Sequence, residues 1–375
     1  MLLSRRQMSV ERGPAGGRVG IEVDAVGADV VDVIEEGVAL RAMVLEGPER
    51  IELRRMEAPP LAPDHTLIDV RAVGICGTDL SIFHGAIPVS YPRILGHEIV
   101  GEVAESGGSG DGGMLAGTRV VVNPSVSCRS CARCREGREN LCDRGWLLGR
   151  DRDGGLQETV SVPSANLHVV PQGVSDHAAP SIQVLSTCLH GQAMVDLLPG
   201  GSVAVIGLGV TGLMHVQLAA SKGASPIVGV TRSADKLALA LEMGATHAVP
   251  ADDPRADDIV REITGGGVDV VIECAGTVGT LARAVRVARP GGRILAYGTI
   301  TEDRGPFPYY QLYYKELALV SPRAATDDDV VASIEAAAAG AVDLERLVTD
   351  RVPLERAGEA MARSGSGTLK IVVEV

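Results

Sequence analysis

Val203-Ala204-Val205-Ile206-Gly207-Leu208-Gly209-Val210-Thr211-Gly212 is the stretch that decides the fold. Four apolar residues in a row read as a strand buried on both faces, and the G-x-G-x-x-G that follows opens a helix. The glycine motif alone is weak in a chain with 46 glycines. Its setting between strand and helix is what a dinucleotide-binding turn requires. Gly207 permits the tight turn, Gly209 lets the backbone approach a pyrophosphate, and Gly212 allows close helix–strand packing. The phosphates would rest on the positive end of the helix beginning at Val210. A glycine-rich turn with no ligand is the alternative.

Outward from this turn the pattern repeats. Strand-like runs at Val203–Ile206, Ile227–Val230, Val268–Glu273 and Arg293–Tyr297 alternate with helical stretches at Leu213–Lys222, Ala234–Met243 and Leu281–Ala288. This alternation predicts a doubly wound parallel sheet, an α/β Rossmann domain over residues 189–325. On the N-terminal side, short apolar alternations broken by Pro and Gly predict a mostly β domain. They include Met43-Val44-Leu45, Leu67–Val70, Ile99–Val103 and Thr118–Val122. After Thr326 come an Ala-rich helix (Val330–Ala339), a helix near Leu354–Arg363 and a last strand, Leu369–Val373. Residues 326–375 are assigned with 41–188 to this second domain. Residues 1–40 read as an extension without clear periodicity, expected to be poorly ordered.

Where an NAD site would carry an acidic residue for the ribose hydroxyls, the second strand ends in Val230-Thr231-Arg232-Ser233. Arg232, helped by Lys236, can pair with a 2′-phosphate. The cofactor-binding set is therefore Gly207, Gly209, Val210, Gly212, Thr231, Arg232 and Lys236, with NADP favoured over NAD. Stacking of Arg232 on adenine in an NAD site is the alternative.

The chain has 375 residues, enough for two to three domains, and a formal charge of −13. An acidic chain without a basic cluster is a poor partner for nucleic acid. No uncharged apolar run approaches the ~20 residues of a membrane span, and no signal-like apolar region follows Arg5-Arg6, so a cytoplasmic location is expected. Of seven cysteines, four crowd together as Cys128-x2-Cys131-x2-Cys134-x7-Cys142. Four thiolates on one short loop need a soft divalent cation, and structural zinc fits. The competing iron–sulfur run has three residues before its last Cys and a Pro after it; here seven intervene and Asp143 follows. A closed thiolate shell leaves no open position for substrate.

Gly74-Ile75-Cys76-Gly77-Thr78-Asp79 and Gly96-His97-Glu98 supply the thiolate, imidazole and carboxylate of a catalytic zinc. With the dinucleotide turn, the four-cysteine lobe and Gly154-Gly155-Leu156-Gln157-Glu158, they make the chain resemble the zinc-containing medium-chain dehydrogenases/reductases, the alcohol and polyol dehydrogenase family. The likeness runs from about Arg41 to the C-terminus. It implies a GroES-like catalytic domain beside the Rossmann domain and two zinc ions per chain, one catalytic and one structural. It also implies Cys76 and His97 as catalytic-zinc ligands, Asp79 orienting His97, and Thr78 relaying the substrate proton.

Two positions depart from the family pattern. The remaining ligand position, usually Cys or Glu, falls on Gln183, as in some sugar dehydrogenases of the family. A neutral amide would leave the zinc at formal +1, and Glu98 could swing in to restore neutrality. Alternatively Gln183 only hydrogen-bonds the metal's water, or the site has lost its metal. The family's terminal relay His is replaced by Ser81, and nearby His84 could substitute.

The expected activity is zinc-dependent, NAD(P)-linked oxidation of a secondary alcohol (polyol, sugar or cyclitol) to a ketone or lactone, by a homodimer or homotetramer. The alternatives are a zinc-dependent reductase of simple aldehydes or alcohols, and a non-catalytic NADP(H)-binding protein of the same fold.

Overall fold

The computed structural model describes residues 39–108, 114–302, 304–363 and 367–375. The expected N-terminal extension lies, up to residue 38, outside the described residues.

A six-stranded sheet runs in the spatial order His247–Pro250, Ile227–Thr231, Val203–Ile206, Val268–Glu273, Ala288–Ala296, Ala318–Val320. Every pairing in it is parallel. The strand order reverses beside Val203–Ile206, where Ile206 lies between Val230 and Glu273. That reversal is the switch point at which doubly wound sheets open a ligand crevice at the carboxyl ends of their strands. The uninterrupted apolar strand is explained by burial on both sides. Val203 and Val205 join the core with Leu213 and Ile182, while Ala204 and Ile206 join a separate core with Val260 and Val285.

The helix after the glycine turn runs Val210–Ser221, beginning before the expected Leu213 because Gly209 caps it. Strands His247–Pro250 and Ala318–Val320 are absent from the sequence reading. Both are short sheet edges, too brief to show a periodicity. The helix Ser181–Ala193 is absent from it for a different reason: it shows no clear apolar stripe, burying polar residues such as Ser181, Ser186 and Gln192 along with Ile182, Leu185 and Cys188.

The mostly β part is a seven-stranded sheet. Its path is Leu167–Val169, Arg119–Val122, Glu98–Ser106, His65–Gly74, Lys370–Glu374 and Val348–Pro353, with Thr159–Pro163 also pairing His65–Gly74. All but the Val348–Pro353/Lys370–Glu374 pair are antiparallel. The last strand of the chain thus lies beside His65–Gly74, placing Lys370 next to the Cys76 segment. A three-stranded sheet (Arg50–Glu57, Ala39–Gly47, Arg93–Ile94) presents Leu45 opposite Arg93. Arg50–Glu57 escaped the sequence reading because nearly all of it is exposed and charged. A small ribbon, Ser125–Val126 with Trp146–Leu147, closes the base of the four-cysteine loop.

Candidate active site

Cys76 is the N-cap of the short helix Gly77–Phe83, at the end of the strand His65–Gly74. His97 precedes the neighbouring strand Glu98–Ser106, which pairs with His65–Gly74 so that Gly74 faces Glu98. Strand pairing therefore joins two segments some twenty residues apart, and one ligand atom from each of Cys76, His97 and Glu98 falls within 4.8 Å of the others. Asp79 locks the arrangement. One carboxylate oxygen accepts from the Cys76 N–H at 2.9 Å; the other accepts from the Gly96 N–H at 3.1 Å and His97 Nδ1 at 3.2 Å. Asp79 is fully buried, so these bonds take the place of the water its carboxylate has lost. With Nδ1 committed to Asp79, His97 offers Nε2 as its remaining ligand atom, the arrangement metal-binding histidines use.

Burial works against charge on both Asp79 and His97, and their mutual attraction outweighs it. Asp79 is held below the usual carboxylate range, and Asp79 with Cys76 holds His97 well above the usual imidazole range. A cysteine sulfur, an imidazole and a carboxylate converging within 4.8 Å, with His97 and Glu98 buried, fit a divalent zinc ion. Thr78, half-buried, follows Cys76 in the first turn of the helix.

Lys370 was not foreseen. Its Nζ lies 2.7 Å from both Glu98 oxygens and 3.2 Å from the Ile75 carbonyl, in a buried pocket. No local motif marks a lysine that reaches Glu98 from 272 residues away. Gly74 makes room for the pair: a Cβ there would come within 2.0 Å of the Glu98 carboxylate. Gln183 lies near the start of the Ser181–Ala193 helix and is partly buried. One turn on, Thr187 Oγ1 donates to the Val184 carbonyl and accepts from the Tyr297 hydroxyl at 2.6 Å. The helix thus runs from Gln183 to the carboxyl edge of the parallel sheet. His84 is exposed and bonds Glu49 at 2.9 Å.

In the four-cysteine loop the sulfurs of Cys131 and Cys134, Cys131 and Cys142, and Cys128 and Cys134 are 3.5, 3.9 and 4.0 Å apart. Four sulfurs about 2.3 Å from a tetrahedral zinc stand about 3.8 Å apart, so the spacing suits that ion. Backbone N–H groups at Ser130 and Cys131 lower the Cys128 pKa, and Arg144 lies 3.3 Å from its sulfur. The remaining cysteines are packing residues. Burial pushes the Cys188 thiol up to about 12 and Cys274 well above its ordinary value.

At the switch point, Gly207 takes φ +93°, and a Cβ on Gly212 would sit 1.9 Å from the Gly207 carbonyl. A side chain at Gly209 would meet nothing within 4 Å, leaving that position open on the crevice side. Thr231 ends its strand, Arg232 is exposed just beyond it, and Lys236 is half-buried in the helix Ala234–Glu242.

A dinucleotide crevice joined to a Cys/His/carboxylate centre defines a metal-assisted oxidoreductase. Comparison with known proteins agrees. The profile described as "Alcohol dehydrogenase GroES-like domain" matches residues 62–172, and "Zinc-binding dehydrogenase" matches 209–339. A sorbitol dehydrogenase of Bacillus subtilis (strain 168) is 33% identical over 331 residues, covering 87% of this chain and 93% of that protein. An L-galactonate-5-dehydrogenase of Escherichia coli K12 is 30% identical, covering 86% and 95%. Among solved structures, a zinc-binding dehydrogenase from Sinorhizobium meliloti 1021 bound to NADP superimposes with a TM-score of 0.83 at 34% identity, covering 90% of this chain and 99% of that one. The chain belongs to the zinc-containing medium-chain dehydrogenase/reductase family, and it is an alcohol oxidoreductase. Among the described residues no helix is long and apolar enough to cross a membrane.

Proposed function

We propose that this chain oxidises a secondary alcohol of a polyol or sugar-type substrate, reversibly, using NADP in preference to NAD. The observation that carries the reading is the Cys76–His97–Glu98 cluster, locked by Asp79 and with its histidine and carboxylate buried, in a chain that also holds the glycine turn Gly207–Gly212. The residues that would hold the catalytic zinc are Cys76, His97 and Gln183, with Glu98 as the carboxylate in reserve; Cys128, Cys131, Cys134 and Cys142 would hold the structural one. When bound, the catalytic ion supplies Lewis acidity that makes an alcohol proton easier to lose.

The remaining work belongs to the chain. Asp79 keeps His97 in one tautomer and orientation. Thr78, next to Cys76, receives the substrate's hydroxyl proton and passes it outward. Gln183 orients the substrate side of the centre with an amide that adds no negative charge. Lys370 holds Glu98 as an ion pair, so neutralising the centre with Glu98 requires breaking that pair. The crevice turn binds the pyrophosphate by backbone N–H groups, and Arg232 with Lys236 pairs with the 2′-phosphate.

The sorbitol and galactonate dehydrogenases among the relatives support a polyhydroxylated substrate, and the NADP-bound neighbour supports the cofactor. Self-association as a homodimer or homotetramer is supported by Tyr309, Tyr310, Tyr313 and Tyr314, each more than 70% exposed, beside Ala318–Val320, the edge strand of the six-stranded sheet. The test follows nicotinamide absorbance with zinc-replete protein, NADP or NAD, and a panel of polyols, sugars and simple alcohols. Turnover of a polyol or sugar with NADP, at two zinc per chain, is expected. Turnover confined to simple alcohols or aldehydes, or a preference for NAD, would overturn the corresponding part.

A further inference from the structure

The carboxyl ends of all six parallel strands face one edge, so the segment after Val320 leaves the sheet at the crevice. In a doubly wound sheet the half carrying the glycine turn takes one nucleotide of the cofactor and the other half takes the second. Residues 321–326 therefore border the nicotinamide half. Two backbone groups define this segment's path into the helix Asp327–Ala338: the Arg323 carbonyl and the Asp327 N–H. Between them Ala324 takes φ +53°, a left-handed conformation that a non-glycine residue keeps only when its surroundings impose it.

Both backbone groups are held by side chains of the four-cysteine lobe. Asn140, two residues before Cys142, donates one amide hydrogen to the Arg323 carbonyl at 2.9 Å and the other to His190 Nε2 at 3.2 Å. Glu139 accepts from the Asp327 N–H at 2.7 Å, and Arg129 reaches the Asp327 carboxylate at 3.2 Å. His190 Nδ1 donates to Asp329 at 2.8 Å, and Asp329 in turn accepts from the Thr326 N–H and hydroxyl at 2.9 and 2.6 Å. With its proton on Nδ1 directed at Asp329, His190 leaves Nε2 to accept from Asn140. His190 also sits on the helix that carries Gln183 and Thr187. Solvation of the lobe alone would not need this part-buried wiring.

We propose that the four-cysteine lobe is a positioning device for the nicotinamide edge of the crevice, with Asn140 as the positioning residue that transmits its geometry to residues 323–327. This rests on the cofactor reading above. The lobe touches neither reacting atom; it fixes the crevice wall against which the cofactor is bound.

Asn140→Ala leaves all four cysteines in place. Measured by isothermal titration calorimetry, its Kd for NADP should rise about five- to tenfold, the effect of one or two lost hydrogen bonds. Zinc per chain should stay at the wild-type value, and kcat at saturating cofactor should stay within about twofold. Arg133→Ala, which removes an exposed pair within the same lobe (Arg133 with Glu136), should leave Kd unchanged. The unmodified chain supplies a second readout, because coupling is reciprocal. Saturating NADP should slow hydrogen exchange in residues 128–142 but not in the helix Ala357–Arg363.

An Asn140→Ala Kd within twofold of wild type, with zinc retained, overturns the proposal. If that variant loses zinc, exchange in the unmodified chain decides, and unchanged exchange across 128–142 overturns it. If wild-type protein binds neither NADP nor NAD, it is the functional reading above that fails.

Discussion

Lys370 and Glu98 form a buried ion pair whose two charges have no solvent to fall back on. Removing one partner of such a pair strands the other, at a cost of about 3–5 kcal/mol. Lys370→Met is therefore expected to lower the chemical-denaturation midpoint sharply, and Lys370→Met/Glu98→Gln to recover much of the loss. If the double variant is no more stable than the single one, the stranded charge is not the cause. Arg232 is the opposite case, an exposed residue whose value lies in what it binds. Loss of a charge-assisted bond to a 2′-phosphate is worth about tenfold or more, so Arg232→Ala should raise KM for NADP by that factor and leave KM for NAD nearly unchanged. An equal effect on both cofactors would assign Arg232 to adenine stacking.

At the scale of elements, the four-cysteine loop has little apolar core of its own, and its four sulfurs converge at its centre. Its cysteines are only partly buried apart from Cys142, and its helix Ala132–Arg135 buries no side chain. Four thiolates at these spacings repel one another without a cation between them. Cys142→Ser should remove one zinc per chain by atomic absorption and increase protease cleavage between residues 128 and 142, with the other zinc retained. Loss of both ions together would mean that the two centres do not form independently. The dinucleotide turn was legible because its glycines answer local backbone demands. The Cys76 and His97 segments were legible as motifs, but their meeting depends on the register of His65–Gly74 against Glu98–Ser106.

Across the whole molecule, His215 is the clearest source of acid sensitivity. It projects from the Val210–Ser221 helix, completely buried with its ring edge-on to Tyr297, and burial, with a smaller contribution from Lys222, drives its pKa down to about 3. The unfolded chain binds this proton near pH 6.5, so the stability it represents is complete above that pH. It drains away as pH falls toward 3, by about 1.4 kcal/mol per unit. Denaturation midpoints should decline between pH 6.5 and 5, and His215→Gln should flatten the part of that slope due to this group. An unchanged slope in the variant would assign the acid sensitivity elsewhere, to the metal ligands first.

By itself the sequence determined what depends on neighbours along the chain. The Val203–Gly212 strand and turn, the alternation that makes a parallel sheet, and the close spacing of the four lobe cysteines are all local. Tertiary structure alone decided what depends on distant segments meeting. Lys370 returns on the last strand to neutralise Glu98, and Asp79 binds three groups across two segments. Asn140 reaches Arg323 and His190 from a lobe far away in the chain. These contacts are set by strand register and sheet order, which bring together residues that carry no mark of each other in the sequence.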